Sequence, residues 1–553
     1  MKVNKLKIGA GVTTLGLVLA LTACGNSSNN DSTINDSAGG NASVGTGTAN
    51  ETNEVTTLSF FSPEHQASSF TDRIANEVTR QTGVAVEVQL PTGSAAERRA
   101  LMLSTFDYPE IMHFDLGTAE LQSYIDNGAL IALDEYLVPG GALGDVYEMT
   151  KDYLDMMRNP ADGKIYYLPS WYGPGETTST AFIMRYDMMV ELVGKERADS
   201  PVPFTQDEII DIFRDFREVY GTNSIALTTT PGSATWTLSG MFGMYEYYHR
   251  ADGTLGHQTE QPEYLEMVKF MNQLQRENLL DPEWVTLNGD TINQKLLNMD
   301  ILGYINMWTA VNDVNMILAQ EGDDVQYVPY QVLGNGVTQG TFGSTPFQGW
   351  NGFAITDNIT DLDAALRLLN FTGSREGQNL LWWGIEGEDY TVEAGLLTPT
   401  QAIIDTFNAD PGNFRFETGI GHWQWLTSNM GPNGITPREL TGAIRIADNQ
   451  ITLADRMGRV NMDGTLWNSS ATYGLMPSSG SVGLQASRIR AIMEEALPLM
   501  VNAPTEEAMM SAFNQMQSEL SAAGIDDVMA AVNEAYAVRR EIWGDWAIPS
   551  YTR

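Results

Sequence analysis

The chain has 553 residues, 42% of them hydrophobic, and carries 31 Lys and Arg against 70 Asp and Glu, a formal net charge of −39. Such an acidic surface excludes nucleic acid as a partner, because phosphate binding needs a basic face, and its plain reading is a solvated face that keeps the protein soluble. The single cysteine allows no disulfide within the chain, so packing alone must hold it, and a globular unit of this size divides into at least two domains.

At the N-terminus, Lys2, Lys5 and Lys7 precede an apolar and small-residue run from Ile8 to Leu21. That run is too short to span a membrane and remain there, and reads as a secretory signal. The stretch Leu21-Thr22-Ala23-Cys24 resembles a lipobox, the recognition sequence of bacterial lipoproteins. The resemblance implies a signal peptide over 1–23 and an acylated, palmitate-bearing Cys24 as the new N-terminus. Two acyl chains at about 0.8 kcal/mol per buried CH₂ hold a soluble domain where one would not. The expected location is the extracellular face of the cytoplasmic membrane, lipid-anchored. Residues 24–55 are Asn, Ser, Thr and Gly with almost nothing apolar, a composition that cannot order itself. As a flexible tether they would reach roughly 30 Å.

Order begins at Thr57–Phe61, a β-rich run. A helical stretch from Phe70 to Gln81, an alternating strand Val84–Val88 and a third apolar run Ile111–Asp115 follow. Strands separated by helices of about a dozen residues predict βαβ units and a parallel sheet. Ligands of such sheets bind beyond the carboxyl ends of the strands, which places Phe61 to Glu64 and Asp115 at a cleft.

From here the chain resembles the family 1 extracellular solute-binding proteins. Tyr108–Met112 and Tyr124–Tyr136 are similar to that family's first lobe, and Asp162–Pro169 resembles its "DGKIYGLP" strand. Met184–Asp187 with Pro203–Glu208 resembles its "R-x-D … P-x-T-x-D-E" segment, and Leu274–Glu283 its "L-y-x-E-G-L-I-D-P-E". Trp383–Tyr390 resembles the "yGIEG-x-x-Y" element of a long-chain Gram-positive carbohydrate-uptake subgroup. These matches run in family order over nearly the whole mature chain.

The same segments have a local physical reading. Thr205 to Glu208 forms a capping box, Phe204 and Ile209 are placed as its hydrophobic staple, and Ile209, Ile212, Phe213 and Phe216 share one helical stripe. Met509, Phe513, Met516 and Leu520 form a second stripe behind a Thr505 cap, with Glu506 and Glu507 in the first turn. Where many relatives carry a loop similar to a calcium site, Glu218 to Leu227 reads EVYGTNSIAL, without three oxygen ligands at calcium spacing. Asn461 to Gly464 reads as a turn. No structural metal and no cofactor are expected. The five histidines, 65, 113, 249, 257 and 422, show no zinc spacing, and neither a nucleophile elbow nor a phosphate loop occurs. Carboxylates are too numerous for their pairing to argue for or against a glycosidase dyad.

Aromatic residues instead gather in loops: Trp171, Trp236, Trp308 and Trp350 each follow a predicted strand or lie in a Gly-rich turn. A sugar ring has an apolar face and a polar rim, so its site wants flat aromatic surface beside carboxylates and amides. Resemblance to the maltodextrin-binding branch implies stacking roles for Trp308 and Trp236 and a hydroxyl-accepting role for Asp115. Glu64, Glu176, Trp423 and Tyr473 complete the candidate ligand-binding set. Trp382 and Trp383 close an apolar helix and are assigned to the core, and Arg185 to a structural ion pair.

The resulting expectation is an α/β protein with the two-lobe fold and hinge of a type II, periplasmic-binding-protein-like solute receptor. Residues 56–170 and 346–450 would form lobe 1, and 171–345 and 451–553 lobe 2. The resemblance implies a monomeric receptor, not an enzyme, that captures an oligosaccharide and delivers it to ABC-transporter permease subunits. Net acidity disfavours uronate-rich glycans, though a local arginine could overrule it. Two alternatives stay open on sequence: a surface glycoside hydrolase or lyase, and a glycan-binding protein that serves a sensor.

Overall fold

The computed structural model describes residues 55–65, 69–170, 180–298, 301–342, 349–393, 395–426, 452–468, 470–544 and 550–552. The chain divides into two units, Met1–Thr52 and Asn53–Arg553, and every described residue belongs to the second. The signal, most of the tether, and Cys24 therefore lie outside the described residues.

The two main sheets are built from β1 (Thr56–Phe61), β2 (Val84–Gln89), β3 (Ile111–Asp115), β4 (Leu168–Pro169), β5 (Thr180–Arg185), β6 (Ile225–Thr228), β7 (Ile301–Met307), β8 (Tyr327–Tyr330) and β9 (Asn351–Ile355). The first has the order β2-β1-β3-β9-β4 and the second β8-β5-β7-β6. β1 runs parallel to both β2 and β3, with Phe61 opposite Gln89 and Met112, so the carboxyl ends of the three strands share one edge. β9 returns antiparallel to β3, placing Asn351 beside Asp115 at that edge. β2 alternates buried and solvent-facing residues, whereas β9 and most of β3 are buried on both faces. Alternation marks the sheet's border and continuous apolar runs its middle.

The first lobe's two hydrophobic clusters draw on residues between 58 and 168 and between 353 and 426, while the second lobe's cluster draws mainly on 181–342 and 454–543. The chain thus crosses between lobes repeatedly, the arrangement that permits hinge closure. Met156 and Met157 mark the seam. Met157 packs with the first-lobe cluster, and its neighbour Met156 with the second-lobe cluster. A 3-10 turn over Leu154–Met157 points consecutive side chains in different directions.

The first helix begins at Arg73 rather than Phe70, because the Asp72 carboxylate accepts from the Ala75 amide at 2.8 Å and caps it there. Phe70 turns into the core instead. The capping box is complete: the Glu208 amide donates to Thr205 Oγ1 at 3.2 Å and the Thr205 amide to Glu208 Oε2 at 2.8 Å. Phe204, Ile209, Ile212, Phe213 and Phe216 are buried behind it. In the helix Glu506–Ala523, Met509, Met516 and Leu520 are buried and Phe513 is half-buried at the edge. Arg185 forms a two-point ion pair with Asp187, both contacts at 2.9 Å. Near EVYGTNSIAL, the Arg217 guanidinium donates to the carbonyls of Thr222 and Asn278, so a side-chain cation ties that loop to the neighbouring turn. Among the described residues no three His, Cys, Asp or Glu side chains gather as a metal site, and no helix is long and apolar enough to cross a membrane.

Candidate functional site

The shared carboxyl edge of β1 and β3 presents two carboxylates. Asp115 ends β3, and Arg99, from the helix Ala95–Thr105, lies behind it. Arg99 is 1% exposed; its Nη2 donates to Asp115 Oδ2 at 2.8 Å and its Nη1 to the His113 carbonyl at 3.3 Å. The Asp115 side chain is itself 39% exposed. A buried guanidinium therefore fixes one carboxylate oxygen while the other stays open to accept a hydroxyl. Glu64, half-buried just after β1, has its carboxyl pushed up by burial and further by the Asp115 charge, with Arg99 opposing.

Aromatic surface stands on the same edge. Trp350, immediately before β9, meets Trp425 edge to face at 5.7 Å between ring centroids, and Trp425 in turn lies 6.1 Å from the His113 ring. Both indoles are half-buried. The backbone holds Trp350 in place, since its carbonyl accepts from the Leu116 amide at 2.8 Å.

The second lobe reaches this edge through Tyr473, which packs against the first-lobe cluster that holds Phe61, Met112, Phe114 and Tyr124. Burial pushes its phenol up to about 12, with the charges of Asp115, Glu246 and Tyr167 adding to the effect. Arg539, on the helix Ile525–Trp543, fixes this segment by donating to the carbonyls of Ala471 and Tyr473. Tyr167 and Tyr473 line one interlobe cavity of about 490 Å³.

The structure thus gathers Glu64, Asp115, Trp350 and Tyr473. Trp308, at the end of β7, is half-buried and lies along the helix Leu453–Asn461 beside Gly458 and Pro329, so packing occupies part of its ring. It packs on the second lobe's hydrophobic cluster. Trp236 ends the helix Pro231–Trp236, and its side chain, like Trp171 and Glu176, lies outside the described residues. Trp423 is a correction. It is 0% exposed, its indole N–H donates to Asp72 Oδ2 at 2.6 Å, and Phe70 and His65 surround its ring, so it is a core residue with no face for a ligand.

A family model described as bacterial extracellular solute-binding protein matches residues 73–387, more than half of the chain. The chain belongs to this family. It is a family of receptors for external solutes rather than of enzymes. No curated protein matches the chain. Among solved structures, the alginate-binding protein AlgQ2 without calcium ion is 16% identical, with 88% of this chain and 99% of that one covered and a TM-score of 0.61. An HMO-binding, ABC-transporter-associated solute-binding protein from Bifidobacterium longum infantis is 15% identical over 87% and 99%, with a TM-score of 0.63. The FusA substrate-binding protein of S. pneumoniae, an EF-hand mutant in complex with fructo-nystose, is 17% identical over 88% and 100%, with a TM-score of 0.59. At these identities the likeness establishes the two-lobe type II fold.

For this solute-binding protein, sequence reasoning missed Trp425, Arg99 and Arg539. Trp425 stands two residues after Trp423 in Trp-Gln-Trp; the fold buries Trp423 and leaves Trp425 half-exposed, so Trp425 and not Trp423 is the indole at the edge. Arg99 and Arg539 lie in ordinary charged helix faces and carry no sequence signal of their own.

Proposed function

We propose that this protein is the membrane-anchored, extracellular substrate-binding component of an ABC importer and captures an oligosaccharide between its lobes. The observation that carries the reading is the Arg99-fixed Asp115 carboxylate beside the Trp350–Trp425 pair, with Tyr473 facing them from the other lobe. Indoles would stack on the apolar ring faces, each adding about 0.5–1.5 kcal/mol beyond area burial. Asp115 and Glu64 would take hydroxyls. Alginate binding, HMO binding and a fructo-nystose complex among proteins of the same fold support this ligand class. The lobes close because a ligand touching both binds the closed form better, and a permease pair would read that form. Cys24 acylation would keep the receptor near those subunits.

Calorimetric titration of the full chain with neutral oligosaccharides, acidic oligosaccharides and peptides, with product assayed in parallel, tests the reading. Saturable binding of a glycan class without product is expected. Binding of peptides alone, or cleavage of a glycan, would overturn it.

A further inference from the structure

Arg539 does more than brace Tyr473. Its Nη1 meets the carbonyls of Ala471, at 3.1 Å, and Tyr473, and its guanidinium lies 5.3 Å from the Trp543 ring centroid. None of these partners neutralises it. Among the described residues no carboxylate lies within ion-pair distance of Arg539, and its Nε and Nη2 donors are unspent. By contrast Arg73, Arg99, Arg158, Arg185, Arg214 and Arg250 each pair with a carboxylate. In a chain with 70 acidic and 31 basic residues, this half-buried guanidinium is left without a counter-charge, and its burial is unfavourable unless something compensates it.

Arg539 lines the interlobe cavity of about 490 Å³, together with Thr118, Gln122, Asn159, Tyr167 and Tyr473. That volume falls within the roughly 300–1,000 Å³ typical of small-ligand sites. From the first-lobe side, Asn159 is only 6% exposed. Its Oδ1 accepts from the Ala161 amide at 3.0 Å, but its Nδ2 has no acceptor in the protein. Each lobe therefore contributes unspent donors to one cavity. The other cation there, Arg158, is already paired with Asp134 and Asp155. Asp126 and Glu534 also border the cavity, but both are exposed, and Asp126 takes a hydrogen bond from Gln122.

We propose that this cavity is a subsite for the carboxylate of an acidic sugar residue, bound by Arg539 with Asn159 as second donor. The proposal rests on the reading of the interlobe cleft as an oligosaccharide site and names one substituent of its ligand. A carboxylate only accepts hydrogen bonds and matches a guanidinium in shape and charge. Burial pulls the guanidinium down to about 10, with Tyr167 and Tyr247 opposing, so it remains cationic at neutral pH. The net negative field of the protein is screened within about 8 Å at physiological salt, which lets the local cation decide.

The test is calorimetric titration of the full chain with two matched pairs: trigalacturonate against its carboxyl-reduced neutral counterpart, and 3′-sialyllactose against lactose. The pairs distinguish an in-chain uronate from a terminal sialic acid. The acidic member of one pair should bind at least about tenfold tighter, and that preference should fall toward parity in Arg539→Gln and in Asn159→Ala, with folding checked by melting. If Arg539→Gln does not fold, Asn159→Ala and the wild-type pairs carry the test. Equal affinities within both pairs, or a preference untouched by both substitutions, would overturn the subsite while leaving a neutral-glycan receptor intact. Failure to bind any glycan, acidic or neutral, would overturn the proposed function and the subsite with it.

Discussion

Gly117 of the first lobe and Gly474 of the second meet backbone to backbone: a Cβ on Gly117 would lie 2.5 Å from the Gly474 Cα. Both adopt left-handed conformations, with φ of +72° and +65°. The contact lies next to Asp115 and Tyr473, so lobe approach at the ligand edge depends on the absence of two side chains. Gly474→Ala should hold the lobes apart. Affinity for the ligand should fall tenfold or more, and small-angle scattering should lose its ligand-induced compaction. Global stability should drop by only about 1–2 kcal/mol, from backbone strain at positive φ. Wild-type affinity with normal compaction would refute the idea.

Asp115 and Arg99 make a second, separable prediction. In Asp115→Asn the buried guanidinium loses its counter-charge, which should cost about 1–3 kcal/mol of stability in urea unfolding. The same variant should weaken ligand binding, since the open oxygen becomes part of a neutral amide. A variant that binds normally would remove Asp115 from the site.

Trp423 and Trp425 should behave oppositely. Trp423→Ala empties a fully buried position and frees Asp72 of its indole donor, for a loss of about 3–5 kcal/mol. Trp425→Ala should leave the melting temperature almost unchanged and reduce affinity, because its half-exposed ring meets Trp350 at the candidate site. Equal melting temperatures for the two variants would contradict this division.

Burial pulls His65 and His113 down to about 3 from the ordinary 6.5; the His422 charge adds to the effect on His65, and those of His65 and Arg99 to the effect on His113. As pH falls through 6.5 the unfolded chain takes up these protons and the folded chain does not. The stability they contribute is therefore complete above about pH 6.5 and is lost as pH falls toward 3, by about 1.4 kcal/mol per unit for each group. Urea midpoints between pH 7 and 4 should fall accordingly. His113→Phe should flatten the slope, because neither nitrogen of that ring is hydrogen-bonded.

Much of the fold was legible because it rests on local signals. Val84–Val88 alternates, Thr205–Glu208 caps, and Ile111, Met112 and Phe114 put apolar side chains on both faces of β3; each signal is contained in a few consecutive residues. The start of the first helix is not legible from its residues alone, because Phe70 suits either a helix face or a core contact, and only the Asp72 carboxylate decides. The site was harder to read. Asp115 follows from its place at a strand's end, but Arg99 reaches it from 16 positions away and Arg539 reaches Tyr473 from 66. No spacing rule links such partners. Trp423 and Trp425 are equal on paper, and tertiary packing alone sends one inside.

The most direct measurement is intrinsic tryptophan fluorescence of the full chain, titrated with oligosaccharides while product is assayed in the same wells. A saturable change with one glycan class, diminished in Trp425→Ala and accompanied by no product, is the predicted result. Silence across every glycan, or bond cleavage during the titration, would contradict capture of an oligosaccharide between the lobes.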